Sequence, residues 1–292
     1  MHDLKNHNII PFAEFVSTAH DQITISRYLF TIKSKLIIDL LPEIVVVDMS
    51  WALINSISNI FNSCDILTYL KLSFEKLLVL NNEKFEEVIK VKVYLCSTHF
   101  LNSVIKKAKK IKVKNNVRNA FIFSFTLVQN SKTIQELENY LINIFNIFNN
   151  QYFDRSVVYS LNTLKIKIRE RNLSNLDISG ERNPEKLSRD IDFKKFLKGT
   201  NENIGEKEEI IFRNSPFKTY FDELISKYKV RIQKTTSKYM INNEYFCPDL
   251  FNILENKLYL VPLWTGILIN CSTIEYPRKT RLTNNPVENY FS

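Results

Sequence analysis

The chain is short of glycine: 292 residues contain only 4. Loops that wrap phosphate need backbone without Cβ, and neither a Walker pattern nor Gly-x-Gly-x-x-Gly occurs, which disfavours nucleotide binding of those kinds. Cysteine is equally scarce. Cys64, Cys96, Cys247 and Cys271 stand far apart in a long chain, so no disulfide framework is expected and the default compartment is reducing, cytosol or nucleus. Asn and Lys interrupt every apolar stretch before it reaches the length of a membrane span, so no membrane partner is expected. The opening residues, MHDLKNHN, have no apolar segment behind their charges, and a secretory signal is not expected. What the chain does have is core material. It is 45% hydrophobic, with 21 Phe and 13 Tyr, which argues for a folded body with a sizeable interior.

The net charge of +9 suits a polyanionic partner. A chain rich in Asn, Ile and Lys also drifts basic through nucleotide composition, so charge alone leaves the partner open.

Apolar spacing divides the chain. Ile9–Val16 is short, apolar and broken by Pro11, as in a strand, and nothing sheet-like precedes it. Ile25, Leu29, Ile32 and Leu36 recur at helical spacing within 22–38. Glu43-Ile-Val-Val-Val-Asp48 is β-branched and continuous, the pattern of a strand buried on both faces. Leu53, Ile57, Ile60 and Phe61 predict the next helix, and Val91–Cys96 alternates like another strand. A basic helix is expected over His99–Lys112. Helical stripes follow at Ile134, Leu137, Leu141, Ile144, Phe145 and Phe148, and again at Phe217, Phe221, Leu224, Ile225 and Tyr228. Glu170–Glu209 is polar, holds three of the four glycines and predicts a loop or disordered insertion. Leu258–Leu268 is apolar and interrupted by Pro262.

Four local patterns could hold chemistry. Asp48 ends a strand, where open α/β sheets place ligands and a carboxylate can hold a divalent metal; it could equally cap the helix that follows. Cys96-Ser-Thr-His99 is a Cys-x2-His after a strand. A structural zinc site needs four ligands in two close pairs and the other cysteines are isolated, so a buried Cys beside a hydrogen-bonded His is the plain alternative. Lys106, Lys107, Lys109 and Lys110 lead a basic run that could contact phosphate, remain a solvated face or direct nuclear import. Glu288 lies in Asn284-Asn285-Pro286-Val287-Glu288, which is also a complete helix-capping signature.

The order of these elements resembles Mutator-like and related DDE DNA transposases. IPFAEFVSTAHDQITI with PEIVVVDMSWALINSISNIF is similar to the stretch leading into the second catalytic Asp of that family. VYLCSTHFLNSVIKK resembles its Cys-x2-His element, and VPLWTGIL with RLTNNPVENYFS its closing segment. The resemblance implies an α/β fold: an incomplete RNase H-like mixed sheet over 1–115, then a long, mostly α-helical insertion over 116–280, with 281–292 starting the helix of the last acidic residue. It implies Asp48 and Glu288 as the second and third carboxylates of a site for Mg2+ or Mn2+, and Cys96 and His99 as the family motif. It implies DNA as partner and the nucleus as location. The first catalytic Asp has no counterpart: Asp3 stands in a polar N-terminal stretch. The expectation is therefore a remnant truncated at both ends, incompetent for strand transfer. The alternatives are a domesticated protein–protein module, with homo-oligomerisation through the helical insertion, and a nuclease whose missing carboxylate comes from a partner chain.

Overall fold

The computed structural model describes residues 2–3, 8–9, 21–35, 41–79, 82–170, 204–233 and 241–268. In chain order the elements are β1 (His2–Asp3), β2 (Asn8–Ile9), α1 (Gln22–Lys35), β3 (Ile44–Val47), α2 (Trp51–Asn62) and α3 (Ile66–Phe74). A π-turn at Glu75–Val79 precedes α4 (Asn82–Val88), β4 (Lys92–Leu95), α5 (Ser97–Lys109), α6 (Asn115–Gln129), α7 (Ile134–Asn149) and α8 (Arg155–Glu170). After these come α9 (Ile204–Asn214), α10 (Pro216–Gln233), α11 (Pro248–Glu255), a 3-10 turn (Leu258–Leu260) and α12 (Val261–Trp264). The molecule is α/β with helix strongly dominant.

The two long-range strands pair as their sequences predict. β3 and β4 run parallel, with Ile44 opposite Lys92 and Val47 opposite Leu95, joined by a crossover through α2, α3 and α4. Three details differ from the sequence reading. β3 is not buried on both faces: only Val47 is buried, and Ile44, Val45 and Val46 are partly exposed. β4 does not alternate: all four of its residues are buried, including Lys92, whose Nζ reaches Glu43 Oε1 at 3.1 Å. Nor is the sheet mixed among the described residues. β1 and β2 form a separate antiparallel two-residue ladder with Asp3 paired to Asn8, so a short strand does precede Ile9. Positions 10–16 lie outside the described residues.

Side chains close the outer edge of β4. Asn62, at the end of α2, donates through Nδ2 to Val91 O (2.8 Å) and accepts at Oδ1 from the N–H groups of Val91 (2.8 Å) and Lys90 (3.0 Å). One amide thereby satisfies three backbone groups as a neighbouring strand would. Two residues on, the Val93 N–H donates to the Tyr69 hydroxyl of α3 (3.2 Å). Both groups are buried, and burial drives the Tyr69 phenol well above its ordinary pKa.

The helical part forms around aromatic side chains. α7 starts at Thr133, whose hydroxyl accepts from Glu136 N (3.1 Å) while Glu136 Oε2 accepts from Lys132 N (2.8 Å), and the expected stripe from Leu137 to Phe148 is buried. Trp264 is fully buried between Phe125 of α6 (5.2 Å between ring centres, 10° apart) and Phe100 of α5 (5.1 Å, 27°). Its Nε1 donates to Lys257 O (3.0 Å), and its carbonyl accepts from the Tyr94 hydroxyl of β4 (3.2 Å). One buried apolar cluster runs from Val47 to Leu268, so the core passes residue 115 without a break.

The polar stretch also needs correction at its ends. Glu170 closes α8, and Ile204–Glu209 belongs to α9, where the sequence predicts loop. The reason is tertiary: Ile211 of α9 is buried, and Glu208 accepts from the Tyr259 hydroxyl (2.9 Å), interactions that polar composition does not reveal. Residues 171–203 lie outside the described residues.

Candidate metal centre at the carboxyl end of the parallel pair

A parallel pair ends both its strands on one side. Here Val47 passes into Asp48 and Leu95 into Cys96, and the Cys96 N–H donates to Val47 O (2.7 Å), which fixes the two chain ends side by side. Each strand then turns into a helix. The N-cap position of α2 is Ser50 and not Asp48, whose carbonyl accepts from the Ser50 N–H (2.7 Å). Its carboxylate is directed across the pair, with Oδ1 2.5 Å from His99 Nδ1.

His99 is brought there by the start of α5. Cys96 is the N-cap and His99 the third helical residue, a spacing of three that sets both side chains on one side of the first turn. Gln129 of α6 donates to Ser97 O (3.1 Å), pinning that turn from outside. The result is a cluster in which one donor atom each of Asp48, Cys96 and His99 lies within 4.8 Å of the others. Cys96 is buried, while the His99 and Asp48 side chains keep 28% and 35% of their exposure. The cluster is open to solvent on one side.

Of the residues singled out in the sequence, Asp48, Cys96 and His99 are therefore assembled. Glu288 and the rest of the closing segment RLTNNPVENYFS lie outside the described residues, as does Cys271. Lys106, Lys107, Lys109 and Lys110 are all exposed at the end of α5. Lys106 is seven residues beyond His99 and shares its face, about 10 Å along the helix axis. Helical spacing could have found that alignment; no local signal could have found the meeting of Asp48 with His99, 51 residues away.

The donor set can be tested against the Mg2+ that the resemblance implies. Mg2+ takes oxygen ligands in near-octahedral array and retains several waters. Among the described residues, the donors gathered around the Asp48 carboxylate are a thiol and an imidazole. That set does not fit Mg2+.

No family model, curated protein or solved structure matches the chain.

Proposed function

We propose that this chain is a transposase-derived nucleic-acid-binding domain, related to Mutator-like DDE elements, with an incomplete RNase H-like core and no strand-transfer activity of its own. The observation that carries the reading is the meeting of Asp48 with Cys96 and His99 at the carboxyl end of a parallel strand pair, with an exposed basic run on the helix that holds His99. The closed outer edge of β4 supports it further. Asn62 and Tyr69 occupy that edge, so a further strand bearing a first carboxylate would join on the β3 side, where it would end beside Asp48.

DNA would be held by charge. Lys106, Lys107, Lys109 and Lys110 present four cations at one helix end without base-reading geometry, which suits phosphate binding with little sequence preference. Replacing all four by Ala should weaken binding of duplex DNA uniformly across sequences. The slope of log K against log salt should flatten by up to about 0.9 for each phosphate that is no longer neutralised. Unchanged affinity at low salt would overturn the assignment of these lysines. Mg2+ should not induce efficient nicking by the isolated chain; brisk nicking abolished by Asp48→Ala would show an active nuclease instead.

A protein–protein module is the second reading, and α8 favours it. Tyr159 and Ile166, two turns apart, are 70% and 52% exposed on that helix. Self-association that persists in high salt, with no salt-sensitive DNA binding, would select this reading over the first.

A further inference from the structure

The cluster that does not suit Mg2+ suits a different ion. We propose that Asp48, Cys96 and His99 form a three-ligand site for a borderline-soft divalent cation, Zn2+ in particular, with one coordination position open to solvent. The inference is independent of the nucleic-acid reading and goes beyond it.

Zinc binds thiolate, imidazole and carboxylate, and sites with three protein ligands leave a fourth position for water or substrate. A thiolate among the donors selects zinc-like ions over Mg2+ or Ca2+. The sizes agree. Metal–sulfur distances near 2.3 Å and metal–nitrogen or –oxygen distances near 2.0 Å put tetrahedral ligands with one sulfur among them about 3.3–3.5 Å apart. The three donor atoms here lie within 4.8 Å of one another, and the shortest separation, His99 Nδ1 to Asp48 Oδ1, is 2.5 Å. An entering ion would part that last pair by about 0.8 Å and draw the widest pair in by at most about 1.3 Å. The part that must stay still does so: the Cys96 N–H is bonded to Val47 O and its side chain is buried. The half-exposed Asp48 and His99 side chains are the ones with room to turn.

Charge also balances. A thiolate, a carboxylate and a neutral imidazole with Zn2+ sum to zero, which the positive N-terminal ends of α2 and α5 beside the cluster tolerate better than a net cation. In the metal-free chain a proton sits between His99 Nδ1 and Asp48 Oδ1. On binding, the imidazole keeps its one ring proton on Nε2 as the metal takes Nδ1, and only the Cys96 thiol proton passes to solvent as the metal–sulfur bond forms.

The test is titration of the metal-free full chain with Co2+ as a spectroscopic probe, followed by competition with Zn2+. One Co2+ per chain should bind, with thiolate-to-cobalt charge-transfer absorption and the intense visible bands of tetrahedral geometry. Zn2+ should displace it and excess Mg2+ should not. Cys96→Ser should lose the charge-transfer band, while Cys64→Ser, Cys247→Ser and Cys271→Ser each retain it. Removing an outer partner of a metal ligand costs about 10–100-fold in affinity, so His99→Gln and Asp48→Asn should each cost about 100-fold or more. Because those two side chains are half exposed, their variants keep the test open if Cys96→Ser fails to fold. Absence of a thiolate band in the wild-type chain, its survival in Cys96→Ser, undiminished affinity in both His99→Gln and Asp48→Asn, or displacement of Co2+ by Mg2+ would each overturn the proposal. Loss of DNA binding in the lysine variant with Co2+ binding intact would separate the two readings.

Discussion

Two regions meet on helix α5 and differ in almost every respect. On one face Phe100 is fully buried and stacks on Trp264, which stacks in turn on Phe125. On the other, the adjacent residue His99 stays partly exposed and touches a carboxylate from a different strand. The aromatic side gains its stability from area removed from water and from ring packing, and it has one arrangement. The polar side gains little from burial; its three donors, all of kinds that bind metals, are held together by backbone that the aromatic side makes rigid. Stability and candidate chemistry thus sit back to back, one residue apart.

That contrast can be broken most forcefully at Trp264. Trp264→Ala should destabilise the chain by about 3–5 kcal/mol, because it removes a large buried ring and leaves a cavity between Phe100 and Phe125. Asp48→Asn should cost under about 1 kcal/mol, since the side chain is partly exposed and its ion pair with His99 is open to solvent. Urea unfolding of the two variants checks both. Equal losses would mean that the Asp48–His99 pair supports the fold and is not a separable site.

A smaller effect is expected where the two regions are joined. Asn62→Leu should cost about 2–4 kcal/mol, because the N–H groups of Lys90 and Val91 and the Val91 carbonyl would be left without their shared partner at a mostly buried edge. Hydrogen exchange should speed up at Val91 and its β4 neighbours before it does in α6 or α7. Uniform acceleration throughout would show that β4 and the helical body open as one unit.

An effect smaller than that of Asn62→Leu lies at the start of α8 and is tuned by pH. Burial pushes the Asp154 carboxyl up, but hydrogen bonds from Ser156, Val157 N–H and Asn150 outweigh it and hold the group below its ordinary range. A carboxylate with a depressed folded pKa stabilises the fold above its unfolded value, near pH 4, and that contribution fades as pH falls through the folded value. Asp154→Ala should therefore lose about 1 kcal/mol at pH 7, the usual worth of a helix cap, and progressively less below pH ~4. Denaturant curves at pH 7 and pH 3 measure the difference. A deficit that persists unchanged at pH 3 would mean that charge plays no part in the cap.

Much of the architecture was legible in the sequence because its causes are local. Helical spacing of Leu137, Leu141, Ile144 and Phe148 marks a buried stripe whatever it packs against, and the β-branched run Ile44–Val47 favours a strand, though not the full burial expected of it. Two strands separated by helices imply a parallel pair, and that pairing brings Asp48 and Cys96 to one edge. Spacing of three then sets His99 beside Cys96. The limits were equally physical. Pattern alone cannot distinguish Asp48 as a helix cap from Asp48 as a cross-strand partner, since both need only a short acidic side chain before a helix. The polar segment Ile204–Glu209 is helical because Tyr259 and the core lie against α9, and the edge of β4 is closed because α2 and α3 deliver Asn62 and Tyr69 to it. Local residues determined which segments are helix and which are strand. The assembly of carboxylate, thiol and imidazole within 4.8 Å was decided by tertiary structure, because only the pairing of β3 with β4 spans the 51 residues between Asp48 and His99.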